Sequence, residues 1–176
     1  MCGIAGIFHS DPSQPVDPQL LVNMAAIQYH RGPDGFGYKK IDDRGIGFSH
    51  ARLSIIDLNE QRSKQPFMSA DKQLLLAHNG EFYDYKRIRA ELTLNGARFR
   101  TKSDSEMVLH LYPRHGLEDM LPYLRGEFAF ALYDKKKDRL MLVRDRFGIK
   151  PLYWTEANGK IIFGSELKVL FAHPDV

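Results

Sequence analysis

The most restrictive feature of this chain is its beginning: residues 2–8 read CGIAGIF, small and apolar throughout, with no charge among them. A run of that kind suits a buried strand, although chain ends ordinarily fray at the surface. A fold that accepts this sequence must therefore seat its first residues in the interior.

The remaining pattern supplies what surrounds that strand. Residues 16–29 read as a helix, capped at Asp17-Pro18, with Leu21, Met24, Ala25 and Ile27 on an apolar face. Arg31-Gly32-Pro33-Asp34-Gly35 predicts a tight turn, followed by short strands at 36–39, 46–56 and 74–78 and a polar loop at 59–63. Tyr85, Ile88 and Leu92 share a helical face over 83–95, which Gly96 ends. Ser103-Asp104-Ser105-Glu106 has the form of a capping box before a second helix carrying Met107, Val108, Leu109 and Leu111. Strands return at 127–134, 139–144, 152–155 and 161–164, with Lys135-Lys136-Lys137 as a solvated hairpin turn, and a short helix spans 166–171. Many strands with few amphipathic helices point to a layered α+β domain and away from a doubly wound parallel sheet.

Composition narrows the function classes. A chain of 176 residues is one domain, and 43% hydrophobic with 27% charged residues is ordinary for a globular protein. A net charge of +3 is too weak to imply nucleic acid. One cysteine excludes an internal disulfide and a multi-cysteine zinc site. With no secretory signal pattern and no membrane-length apolar run, the expected location is the cytoplasm, without a membrane partner.

Four places can carry chemistry, each with a plain structural alternative. Cys2, if Met1 is removed, joins a thiol and a free α-amine on one residue, so a nucleophile gains an adjacent base; otherwise it is a small core hydrophobe. Asn79-Gly80, read as a strand-to-helix junction, can aim a carboxamide and an N–H at an oxyanion, or be a routine turn. Arg52, among apolar neighbours, needs a carboxylate from the protein or a ligand. Asp104 offers a negative charge to a ligand, or simply caps a helix.

The segments MCGIAGIF (1–8), RGPDG (31–35), SHARLSIID (49–57), HNGEFYDY (78–85), TKSDSE (101–106), LRGEFAFALYD (124–134) and RDRFGIKPLYW (144–154), in this order, resemble class II glutamine amidotransferases of the asparagine synthetase type. The resemblance implies an N-terminal-nucleophile hydrolase fold, an αββα sandwich of two antiparallel sheets between helical layers, and hydrolysis of L-glutamine to L-glutamate and ammonia. It implies that Cys2 is the nucleophile and that Asn79 and Gly80 form the oxyanion hole. Arg52 would bind the substrate carboxylate, Asp104 helped by Glu81 its ammonium, and Arg52, Leu53, Ser54, Ile55 and Ile56 would line the pocket. Phe82 and Asp84 depart from the residues common after Gly-Glu in the family, which leaves the subfamily open.

No metal or organic cofactor is expected in this domain. The resemblance places ATP and magnesium in a C-terminal synthetase domain that residues 1–176 lack, implies that the chain is the N-terminal part of a longer one, and admits a homodimer. Phe147, Ile149, Leu152 and Trp154 are the expected docking patch for that domain. Two other readings are a free-standing amidase acting on a different amide and a non-catalytic glutamine sensor.

Overall fold

The structure, a computed structural model, describes residues 1–57, 59 and 62–176. The elements in chain order are β1 (Gly3–His9), α1 (Pro18–Ala26), β2 (Phe36–Ile41), β3 (Ile46–Ala51), β4 (Phe67–Met68), β5 (Leu74–Phe82), α2 (Tyr85–Leu94), α3 (Met107–Met120), β6 (Gly126–Asp134), β7 (Arg139–Arg144), β8 (Tyr153–Ala157), β9 (Lys160–Gly164) and α4 (Leu167–Leu170). They form two antiparallel sheets, ordered β2-β3-β1-β9-β8 and β4-β5-β6-β7.

The apolar first run is buried because β1 is the central strand of its sheet, with β3 and β9 as neighbours. Side-chain alternation along each strand then sorts residues into layers. Ile4, Ile46 and Phe48 face Leu75, Ala77, Ala131 and Tyr133 of the second sheet. Ala5 and Ile7 turn the other way, onto Leu21 and Met24 of α1 and Val169 and Leu170 of α4. Beyond the second sheet, Leu76, Phe82, Phe128 and Phe130 pack on Ile88 and Leu92 of α2 and on Val108 and Leu111 of α3. Each such large side chain contributes about 1.5–3 kcal/mol when fully buried. The result is the expected αββα sandwich. Gly6 serves the middle layer: a Cβ there would lie 2.4 Å from Phe163 and 2.7 Å from Phe48, whose rings meet edge to face at 5.2 Å.

The first helix is capped as read, while α2 starts at Tyr85, two residues after the expected position 83, and α4 at Leu167, one after 166. Asp17 accepts from the Gln19 N–H at 2.8 Å with Pro18 in the first turn, but α1 stops at Ala26, short of residue 29. Lys135–Lys137 do lie in the turn between β6 and β7. The loop expected at 59–63 falls partly on residues 60 and 61, outside the described ones.

Three local expectations are corrected. β3 ends at Ala51, not at residue 56, because Gly3 of β1 and Phe36 of β2 both pair with Ala51 and neither neighbour continues past it. β5 continues through Asn79 and Gly80 to Phe82, because β6 keeps pairing with it as far as Phe82 opposite Gly126. Asn79-Gly80 is therefore mid-strand. The capping box forms only in half: Ser103 accepts from the Ser105 N–H at 3.3 Å, while the Glu106 carboxylate turns back to the N–H groups of Arg100 and Thr101, both at 2.8 Å.

Candidate active site

The strand ends described above open a gap between the sheets at one point. Cys2 precedes Gly3, and by alternation it shares the inter-sheet side with Ile4. From Leu53 onward the chain, no longer held in a ladder, folds over Cys2. The Leu53 N–H points at Sγ at 3.3 Å, and Sγ lies 3.5 Å from the Leu53 carbonyl. From behind, Arg31 Nε donates to the Cys2 carbonyl at 3.0 Å while its Nη1 pairs with Glu166 at 3.1 Å. Burial pushes the Cys2 thiol up; the Leu53 N–H, the terminal amine and Arg52 oppose this, and Asp104 adds to it. Among the described residues no histidine hydrogen-bonds to Sγ.

Opposite Cys2, β5 presents Asn79 on the face it shares with Leu75 and Ala77. Asn79 is 1% exposed, yet neither its Oδ1 nor its Nδ2 has a hydrogen-bond partner among the described residues. Leaving buried polar atoms unpaired costs about 1–3 kcal/mol each, so this carboxamide is poised for a group from outside. Gly80 follows with φ of 137°, and a Cβ there would stand 2.0 Å from the Glu127 carbonyl, so glycine is obligatory. Strand alternation turns the backbone groups of residues 78, 80 and 82 to the same edge of β5. On that edge the His78 N–H goes to Gln65 Oε1 at 2.7 Å and the Phe82 N–H to Asp104 Oδ2 at 2.8 Å. The Gly80 N–H lies between them.

Two opposite charges complete the gap. Arg52 is buried, its Nη2 donating to Ser63 Oγ at 2.7 Å and to the Asp57 carbonyl. Among the described residues no carboxylate lies within ion-pair distance of it. Asp104, 3% exposed, has its carboxyl raised by burial, with the Phe82 and Ser105 N–H groups opposing. Glu81 is exposed at the rim, as is Ile55, and Leu53, Ser54 and Ile56 line the wall, with the Ser54 N–H held by Asp34 at 2.7 Å. The cavity measures about 140 Å³, well below the ~300–1,000 Å³ usual for drug-sized ligands.

Every residue singled out from sequence thus lines one cavity. Others went unnoticed: His50, Gln65, Ser103, Ser105, Glu127 and Lys150 line it too, and so does Met1. His50 and His78 are completely enclosed, and burial pulls both down to about 3, so they are neutral imidazoles. Of these, the two histidines could have been found as neighbours of Arg52 and Asn79; Gln65 carries no local signal. Of the four residues expected to dock a further domain, Phe147, Ile149 and Trp154 are exposed, but Leu152 is partly buried against the inter-sheet core. Asp145 holds the loop in shape, accepting from the N–H groups of Phe147, Ile149 and Lys150 at 3.1, 2.9 and 2.9 Å.

The family model described as "Glutamine amidotransferase domain" matches residues 1–176. The chain belongs to this family. Over 176 residues the domain is 43% identical to asparagine synthetase (glutamine-hydrolyzing) 2 of Bacillus subtilis (strain 168), covering 99% of this chain and 23% of that protein. It is 38% identical over 183 residues to amidase chry2 of Gibberella zeae, covering 98% of this chain and 26% of that one. The amidotransferase domain therefore spans about a quarter of the length of these relatives. Among solved structures, glutamine phosphoribosylpyrophosphate amidotransferase from B. subtilis, complexed with ADP and GMP, superimposes with a TM-score of 0.77 at 22% identity over 97% of this chain and 43% of that one. That likeness establishes the N-terminal-nucleophile hydrolase fold. No helix among the described residues is long and apolar enough to cross a membrane.

Proposed function

We propose that this amidotransferase domain hydrolyses L-glutamine to L-glutamate and ammonia through a thioester on Cys2. The observation that carries the reading is the buried Asn79 carboxamide, without a hydrogen-bond partner among the described residues, in the same cavity as the Cys2 thiol, with Arg52 and Asp104 supplying opposite charges. After removal of Met1, the α-amine of Cys2 takes the thiol proton, Sγ attacks the side-chain amide carbon, and the oxyanion is met by Asn79 Nδ2 and the Gly80 N–H. The ammonium of Cys2 returns the proton to the departing ammonia, and water cleaves the thioester. Arg52 binds the α-carboxylate, and Asp104 with Glu81 the α-ammonium. None of these steps calls on a metal or an organic cofactor. The ammonia is used, on this reading, by an ATP- and magnesium-dependent synthetase domain in the same longer protein, forming asparagine.

One relative is named an amidase, which gives weight to a second reading, hydrolysis of another amide. Arg52 and Asp104 favour glutamine over it, since a simple amide has no use for a buried charge of each sign. The test is glutaminase assay with intact-mass measurement after incubation with 6-diazo-5-oxo-norleucine. One adduct on Cys2, absent in Cys2→Ala, together with glutamate release that needs no ATP, is the expected result. A catalytically active Cys2→Ala protein would refute the nucleophile.

A further inference from the structure

We infer that His50 and Gln65 are positioning residues that hold the His78–Asn79 peptide so that the Asn79 carboxamide meets the oxyanion; this rests on the glutaminase reading above. β4 is only two residues long and pairs with Leu75 and Leu76, so β5 has no strand beside it when it reaches His78. The Gln65 carboxamide takes the place of that missing strand. Its Oε1 accepts from the His78 N–H at 2.7 Å and its Nε2 donates to the His78 carbonyl at 3.1 Å, the paired contacts a neighbouring strand would make.

The same carbonyl receives a second donor, His50 Nε2 at 3.1 Å, reaching from β3 across the inter-sheet gap. Because His50 is enclosed and neutral, the contact requires the tautomer with hydrogen on Nε2. The His78 ring is itself anchored, with Nδ1 2.7 Å from Ser105 Oγ and a stacked contact with Phe82 at 4.7 Å between centroids. Residue 78 is thus held from three sides, while the carboxamide of residue 79 has no hydrogen-bond partner among the described residues. The peptide plane that joins them sets where Asn79 points. His50 also ties the sheet that carries Cys2 to the sheet that carries Asn79, adding a directional bond beside the site to the apolar packing between the sheets. Misplacement of about 1 Å is enough to lower a rate about 10²-fold.

The test compares His50→Leu, which keeps bulk without a donor, with His50→Gln, whose amide nitrogen can reach the place of Nε2. His50→Leu should lower kcat for glutamine roughly tenfold or more with KM changed less than about twofold, and His50→Gln should restore most of it. In an Asn79→Ala background His50→Leu should cost less than about twofold further, since the residue it acts through is gone. If His50→Leu does not fold, Gln65→Leu is read against the same criteria. A folded variant with unchanged kcat, a change in KM alone, no rescue by glutamine at position 50, or full multiplicative loss in the Asn79→Ala background would each overturn the inference. Wild-type protein without glutaminase activity would instead overturn the function proposed above.

Discussion

The sulfur of Cys2 lies 3.3 Å from the backbone nitrogen of Leu53, the second residue after β3 ends. That N–H favours a thiolate, but burial raises the thiol by more, so the proposed mechanism requires a base close to sulfur. Met1 lines the same cavity. Retaining Met1 or a tag on Cys2 should therefore cost at least about 10²-fold in kcat/KM, the usual contribution of a positioned acid-base group. Mass spectrometry of the N-terminus paired with a glutaminase assay checks it; full activity with a verified blocked terminus would refute the α-amine as base.

Asn79 acts, on the proposed mechanism, only when the oxyanion forms. Loss of one such donor typically removes about 10²–10³ in turnover. Asn79→Ala should lower kcat by that factor, leave KM nearly unchanged, and leave the fold at least as stable, since two unpaired buried atoms are removed. A KM increase at constant kcat would reassign Asn79 to ground-state binding.

Arg52 and Asp104 should select for the amino-acid end of the substrate. Arg52→Lys cannot reproduce a planar two-point contact and should lower kcat/KM for glutamine roughly tenfold to hundredfold, at about 1.5–3 kcal/mol for a charged hydrogen bond. Asp104→Asn keeps an acceptor for the Phe82 N–H, so its loss reports charge alone. Steady-state kinetics with glutamine and with propionamide separate the cases; equal efficiency toward both substrates in the wild type would remove both residues from this role.

Glu106 should make stability fall with acid. Burial opposes its ionisation, but His110 at 3.9 Å and the donors of Arg100 and Thr101 outweigh burial and bring the carboxyl down to about 2 from 4.5. Because the folded value is the lower one, the stabilisation is present above about pH 4.5 and is lost as pH falls toward 2. At about 1.4 kcal/mol per pH unit it amounts to at most about 3 kcal/mol. Denaturant titrations at pH 7 and pH 3 should show wild type well above Glu106→Gln at the first pH and the gap reduced to roughly half or less at the second. A difference independent of pH would show that shape, not charge, matters at this position.

The layers of the fold were legible because they rest on alternation and helical spacing, which are local. The ends of elements were not. The apolar run past Ala51 continues the pattern of a strand, but a ladder needs neighbours, and those of β3 stop at Gly3 and Phe36. Asn-Gly ordinarily marks a turn, yet nine registered pairs with β6 hold β5 extended through it. The charged and nucleophilic residues of the site stood out because their chemistry is unusual wherever they sit. Gln65 did not: a carboxamide that completes a sheet 13 residues away has no signature in its own neighbourhood.

The edge of β5 has a further consequence for what can approach the site. A bare strand edge is a row of donors and acceptors that invites another extended chain to pair with it. Here the row is interrupted on both sides of Gly80, by Gln65 at His78 and by Asp104 at Phe82. A peptide laid along this edge would find the hydrogen-bonding positions on either side of Gly80 already filled. The same two side chains therefore also stand in the way of β-strand addition along this edge of the cleft.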